Sequence, residues 1–207
     1  MRLVLISDTH ERHEGLELPE GDVLVHAGDF SIKGELEPVR GFVDWLAACP
    51  HPHKVLVAGN HDFLVEREPE LFRSLLSDSV TYLEGDSAVV GGLRFWGSPI
   101  TPWFHDWAFN RQRGPEIERY WREIPEGTDV VVTHGPPAGI LDRVAAGMEV
   151  GCEELGKHLD RVRPRLHVFG HIHEGRGQLE RDGMRHVNAS SLDRYYRDLQ
   201  PPIVVDL

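Results

Sequence analysis

At 207 residues, with 22 Lys and Arg against 34 Asp and Glu, the chain has a formal net charge of −12 and a pI near 5.5. That balance opposes loose binding to nucleic-acid backbones or anionic membranes, which need clustered Lys and Arg, so neither extended nucleic acid nor a membrane is an expected partner. The two cysteines, Cys49 and Cys152, share no C-x-x-C spacing and read as buried thiols in a reducing compartment, which excludes a disulfide framework and gives a cytoplasmic expectation.

A chain of this length suits one domain, residues 1–207, that buries about 70% of its unfolded surface without staples. Leu3-Val4-Leu5-Ile6 meets Asp8 too soon for a secretory apolar core, and no run approaches the roughly 20 apolar residues of a membrane span. Residues 2–6 and 23–26 are continuous apolar runs, the pattern of strands buried on both faces. Val39, Phe42, Val43 and Leu46 at helical spacing predict a surface helix over 35–49, stopped by Pro50. A strand follows over 54–58, then a helix over 70–76 with Pro69 suited to its first turn. Strands over 80–83, 87–90 and 93–97, separated by Gly-Asp and Gly-Gly, mark a change from βα alternation to consecutive hairpins. Residues 99–113, rich in Trp, Phe and Pro without a clean period, read as a long aromatic loop. Beyond it come a helix over 117–121, a strand over 129–133, a helix over 153–159 and a strand over 166–169. Asp182-Gly183 is a hairpin signal between strands at 178–180 and 185–187, and 203–206 is a terminal strand.

Metal-type side chains cluster where these strands end. Val23-Leu24-Val25-His26-Ala27-Gly28-Asp29 delivers a carboxylate to a strand end, where glycine allows a sharp turn. Ser7-Asp8-Thr9-His10, Gly59-Asn60-His61-Asp62, Thr133-His134-Gly135 and Gly170-His171-Ile172-His173 each follow an apolar run in the same way. Asp8-x-His10 and His171-x-His173 place side chains on one side of an extended segment, suited to gripping one ion or two neighbours. Mixed carboxylate and imidazole sets favour borderline divalent ions such as Mn, Fe, Ni or Zn. His26 reads as a satisfied core histidine, and His13, His51, His53, His105, His158, His167 and His186 as surface or packing residues.

The ordered series Asp8-x-His10, Gly28-Asp29, Gly59-Asn60-His61-Asp62, His134 and Gly170-His171-x-His173 resembles the calcineurin-like metallophosphoesterase superfamily. Leu24-Val25-His26-Ala27-Gly28-Asp29-Phe30, Thr101-Pro102-Trp103-Phe104, Thr133-His134-Gly135-Pro136-Pro137 and Asn188-Ala189-Ser190 narrow it to the metallophosphoesterase-domain-containing (MPPED-like) branch. The resemblance implies an α/β fold, a four-layer αββα sandwich of two mixed β-sheets flanked by helices. It also implies two divalent transition-metal ions, Mn2+ first, with Fe, Ni, Zn or Co as alternatives. One ion is assigned to Asp8, His10, Asp29 and His173, the other to Asn60, His134 and His171 with Asp29 as the bridge. Some animal members of this branch carry glycine at the position of His171; this chain keeps the imidazole.

The implied activity is a phosphodiesterase on small phosphodiesters, cyclic nucleotides as the class, with a hydroxide held by both ions attacking phosphorus. His61 is cast as the acid for the departing oxygen, and Asp62 is expected to orient its ring. Two metals, two carboxylates and a hydroxide leave roughly one positive charge, better matched to a monoanionic diester than to a polyanion. Trp103, Phe104, Trp107 and Phe109 are candidate walls for a nucleobase or another aromatic group, the alternative being a loop that packs its own aromatics over the sheet edge. Arg12, Asn110, Arg111 and Arg113 are candidate contacts to phosphate or sugar, Arg12 favoured by its closeness to His10, with solvated surface as the alternative. Competing readings are a phosphomonoesterase or pyrophosphatase on the same site, a non-catalytic metal-binding scaffold, and a nuclease, which lacks a basic groove. Expected partners are a small phosphodiester or nucleotide, with a homodimer left open.

Overall fold

The computed structural model describes residues 1–207. Four strands, β1 (Arg2–Ile6), β2 (Val23–Ala27), β3 (His53–Val57) and β4 (Val80–Tyr82), run parallel in a first sheet. Three helices follow the strand ends: α1 (Leu36–Ala48), α2 (Phe63–Arg67) and α3 (Pro69–Leu75). The chain then crosses to a second sheet through β5 (Asp86–Val90) and β6 (Leu93–Ser98), an antiparallel hairpin closed by Gly91-Gly92. A two-residue parallel ladder, β7 (Thr101–Pro102) with β8 (Asn110–Arg111), pinches the aromatic loop before α4 (Pro115–Arg122). Next come β9 (Val130–Thr133), α5 (Glu153–Val162), β10 (Leu166–Phe169), β11 (Gly177–Arg181), β12 (Met184–Asn188) and β13 (Ile203–Asp206).

The first sheet has the order β13-β1-β2-β3-β4 and the second β11-β12-β10-β9-β6-β5. Both are mixed, since β13, β11 and β5 run antiparallel to their neighbours. Period-two alternation divides the core into layers. Leu3, Leu5, Val25, Val55 and Val57 meet Phe95, Val130, Val132 and Val168 between the sheets. The intervening residues Val4, Ile6, Leu24 and Leu56 face Val39, Phe42 and Phe72 of α1 and α3, while Trp96 and Val131 face Ile117, Trp121, Leu155 and Leu159 of α4 and α5. This is the expected four-layer αββα sandwich.

Three local expectations are corrected. The Gly85-Asp86 segment is not a hairpin turn, because β4 pairs with β3 and β5 with β6 in the other sheet. Short α2 is an added element, buried through Leu64 and Val65 but too short for a helical period to show in the sequence. The aromatic loop sends Phe109 into the core at 3% exposure, apart from Trp103, Phe104 and Trp107, so it is no wall for a nucleobase.

Candidate metal centre

Parallel pairing aligns the carboxyl ends of β1, β2, β3, β9 and β10, where ligand sites gather in α/β sheets. A bridge between Ser7 and Ser190 joins the two sheets there. The chain turns steeply at these ends. Asp8 (φ 52°), His10 (φ 39°), Asp29 (φ 57°) and His171 (φ 68°) all adopt the left-handed conformation that L-residues avoid. Such strain persists only where surroundings over-determine it. Phe30, next to Asp29, supplies part of that restraint by stacking on Phe42 of α1 at 4.4 Å. A Cβ at Gly59 would overlap the Asp29 carboxylate, and one at Gly170 the Asp8 carboxylate, so glycine is required at both.

Three groups of side chains converge closely enough to hold a metal ion: Asp8, His10 and His173; His10, Asp29 and His61; and Asp29, His134 and His171. Nε2 of His173 lies 3.5 Å from Asp8, while Nε2 of His134 lies 3.2 Å and that of His10 3.9 Å from Asp29. Asn60 Oδ1 is 2.9 Å from His134 Nε2, which brings the amide to the third group. Three rings are oriented by backbone carbonyls: Nδ1 of His10 pairs with Ser31 O, that of His134 with Ala27 O and that of His173 with Asp193 O. A proton held at Nδ1 by those carbonyls directs the Nε2 lone pair inward, the tautomer that ligates metal. His10 Nε2 is buried with no hydrogen-bond partner. An orphaned acceptor beside a buried carboxylate fits a cation, which relieves both groups.

Asp8 and Asp29 are 0% and 2% exposed, and burial opposes their ionisation. His173, by hydrogen bond and charge, nevertheless holds Asp8 well below the usual carboxylate range, and His134 does the same for Asp29. In turn, against burial, Asp29 raises His134 to about 9 and Asp8 raises His173 to about 9. Burial lowers His10, and takes His171 down to about 3 with help from the His134 charge. The carboxylates thus draw positive charge to two separate points, a demand that divalent ions meet in place of protons.

A sequence model of the calcineurin-like phosphoesterase family matches residues 1–175. The chain belongs to the calcineurin-like phosphoesterase family. It is 42% identical over 231 aligned positions to Metallophosphoesterase domain-containing protein 1 of Homo sapiens, covering 100% of this chain and 71% of that protein. A cAMP/cGMP dual specificity phosphodiesterase of Mycobacterium tuberculosis is 29% identical over 159 positions, 73% of this chain and 48% of that one. Among solved structures, TT1561 of Thermus thermophilus superposes with a TM-score of 0.60 at 16% identity, covering 96% of both chains. Phosphopantetheinyl Hydrolase (PptH) from M. tuberculosis gives 0.59 at 16%, covering 91% of this chain and 88% of that one. These two likenesses show the fold.

As a calcineurin-like phosphoesterase the protein is a phosphate-ester hydrolase, and the family uses a dinuclear divalent metal centre. Beside the candidate ligands a cleft of about 430 Å3 opens, lined by Asp29, Asn60, His61, His171 and His173 on its floor. Trp103, Phe104 and Trp107 wall one side, so the structure brings all three to the site. Trp107 lies 4.3 Å from the His61 ring and Phe104 5.2 Å from that of His171.

Other expectations need correction. Asp62 does not orient His61: its oxygens accept from Asp29 N (3.0 Å), Gly59 N (2.7 Å), Ser31 N (3.0 Å) and Ser31 Oγ (2.7 Å). The His61 ring is oriented by Ile32 O, 2.8 Å from Nδ1. Burial and the Asp29 carboxylate push Asp62 up to about 7, against the pull of the Ser31 and Gly59 donors. Asp62 thus ties the loop after β2 to the loop after β3. Arg12 does not reach the cleft, because its guanidinium donates to the carbonyls of Tyr196 (3.0 Å) and Arg197 (2.6 Å). Asn110 is committed inside the aromatic loop to Thr101 Oγ1 and the Phe104 and Ala108 backbones, and Arg111 to Glu66 and Tyr120. Arg113 lines the cleft, but its nitrogens donate to Val150 O and Gly151 O. His26 is a core histidine with both ring nitrogens paired, to Thr9 Oγ1 and Gly28 N. Sequence reasoning missed Val144, Val150, Glu174 and Tyr196 in the cleft wall. Only the adjacent tyrosines at 195 and 196, in a polar stretch after Asn188-Ala189-Ser190, offered a signal.

Proposed function

We propose that this chain is a dinuclear-metal phosphodiesterase acting on small phosphodiesters, with cyclic nucleotides the foremost class. The observation that carries the reading is the convergence of Asp8, His10, Asp29, His61, His134, His171 and His173 in three overlapping groups beside an aromatic-walled cleft. Asp8, His10, Asp29 and His173 would hold one ion, and Asp29, Asn60, His134 and His171 the other. When bound, such a pair supplies Lewis acidity to the phosphoryl oxygens and lowers the pKa of a shared water toward about 7.

The chain's own residues supply the rest. His61 donates Nδ1–H to Ile32 O, so in its imidazolium form Nε2 carries the second proton, available to the departing oxygen. Trp103, Phe104 and Trp107 offer apolar faces to an aromatic ester group. The one Arg of the cleft is committed to backbone carbonyls, which leaves no free guanidinium for a second phosphate and disfavours the pyrophosphatase reading. Similarity to a cAMP/cGMP phosphodiesterase supports a cyclic diester. With Mn2+ added, the purified protein is expected to hydrolyse bis(p-nitrophenyl) phosphate faster than p-nitrophenyl phosphate, and to open 3′,5′-cyclic nucleotides. No turnover of any diester with Mn2+, Fe2+, Ni2+, Zn2+ or Co2+, with the fold intact, overturns the reading.

A further inference from the structure

The cleft wall includes the tip of a small loop, Tyr196, that the mechanism above does not use. Its base is a bridge between Leu192 and Leu199 and a bond from Gln200 N to Ser191 O. Asp193 stabilises the turn, accepting from Arg197 N at 2.7 Å, while its carbonyl meets His173 Nδ1 at 3.1 Å. At the tip Tyr196 adopts φ 59°, a left-handed conformation unusual for a bulky side chain. The Arg12 guanidinium, on the segment that carries His10, holds that strained turn through the carbonyls of residues 196 and 197. The ring is thereby set 4.8 Å from His10 and 4.9 Å from His173, lining the cleft yet 47% exposed.

We infer that Tyr196 is a specificity-determining residue that receives the ester substituent retained on phosphorus, and that Arg12 is its positioning residue. This rests on the phosphodiesterase reading. The departing oxygen belongs at His61, whose ring is covered by Trp107. Tyr196 stands at the other end of a row of rings, in which Trp107 lies 4.3 Å from His61, His61 4.7 Å from His10 and His10 4.8 Å from Tyr196, and that end is left for the second substituent. A monoester has no such group, so the residue discriminates diesters from monoesters. Its half-exposed ring suits a planar or apolar substituent. Were Tyr196 only packing for the two imidazoles, its loss would weaken metal binding and slow both ester classes alike.

The test compares wild type with Tyr196→Ala, Tyr196→Phe and Arg12→Gln, all loaded with Mn2+. Calorimetric affinity for diphenyl phosphate and for phenyl phosphate is measured beside kcat and KM on the two nitrophenyl esters. Tyr196→Ala is expected to weaken diphenyl phosphate binding and raise the diester KM by about tenfold, the size of one lost stacking contact, with the change confined to diesters. Tyr196→Phe restores the affinity because it keeps the ring, and Arg12→Gln reproduces the diester defect by releasing the turn. Equal losses on diester and monoester, a fall in bound Mn2+, or no change in Tyr196→Ala each overturns the assignment. Binding affinity is fitted separately from turnover, so a wild type that binds diphenyl phosphate through Tyr196 but hydrolyses nothing sinks the functional reading and leaves this one standing.

Discussion

His61 and Asn60 are neighbours in sequence with opposite demands on their side chains. Asn60 Oδ1 points at His134 Nε2, within the third ligand group, whereas the His61 ring is turned by Ile32 O and covered by Trp107. Removing each distinguishes the ligand role proposed for Asn60 from the acid role proposed for His61. Asn60→Ala or His134→Ala is expected to drop bound Mn2+ from about two toward one per chain and cut turnover by about 100-fold or more. His61→Ala is expected to keep both ions, read by elemental analysis, and to slow esters with poor leaving groups most. Because His61 also stands in a group with His10 and Asp29, loss of an ion from His61→Ala would make it a ligand instead. Asp62 acts through the backbone. Asp62→Ala strands the Asp29, Ser31 and Gly59 amides in a buried place and is expected to cost about 3 kcal/mol or more in urea unfolding, at roughly 1–3 kcal/mol per unsatisfied group.

Each strand in this fold is an apolar rod whose carboxyl end must turn steeply to aim a side chain at its neighbours. At the end of β10, Gly170 lies against Ser7 and the Asp8 carboxylate, so the β1 and β10 turns approach without any intervening side chain. Gly170→Ala is expected to push the two sheets apart at the site and lower bound Mn2+ below that of wild type, while near-native far-UV circular dichroism reports an intact fold. Helix α1 acts on the same turns from behind. Its Phe42 stacks on Phe30, the residue after Asp29, so Phe42→Ala is expected to cost about 3–5 kcal/mol and to loosen the Asp29 carboxylate as well as the core.

Across the whole molecule, charge is arranged so that the acidic surface and the buried histidines respond differently to pH. His26 is pushed down to about 3 and His186 to about 4, both by burial. Depressed histidine values mean the unfolded chain binds the proton more tightly. Their contribution to stability is therefore complete above pH 6.5 and lost as pH falls through that value toward 4 and 3. At pH 5 each is expected to have lost roughly 2 kcal/mol, at 1.36 kcal/mol per pH unit below the unfolded value. The check is a difference: urea unfolding of chelator-treated wild type and His186→Gln at pH 7.5 and pH 5, the variant being expected to lose about 2 kcal/mol less over that interval, because the raised His134, His173 and Asp62 act in the opposite sense in both proteins and cancel in the comparison. The net charge of −12 is compatible with an anionic substrate because screening over about 8 Å leaves the local field of the cleft in control at contact.

Local order in the sequence carried the chain a long way. Apolar runs of four or five residues marked the strands, a 3.6-residue period marked α1, and the spacing of Asp8, His10, Asn60 and the later histidines marked the ends where chemistry gathers. Those signals reside in neighbours along the chain, and so are legible in the sequence alone. What they could not contain was anything set by approach across the fold. Asp62 and His61 are adjacent, yet their partners, the Ser31 and Asp29 amides and the Ile32 carbonyl, lie about 30 positions away in another loop. Arg12 is a near neighbour of His10 in sequence, but a guanidinium reaches as far as its stem allows, and here it meets the Tyr196 turn, 184 positions along the chain. The composition of the cleft was fixed by which loops the two sheets bring to a common edge, a property of strand order and register that no single stretch of sequence encodes.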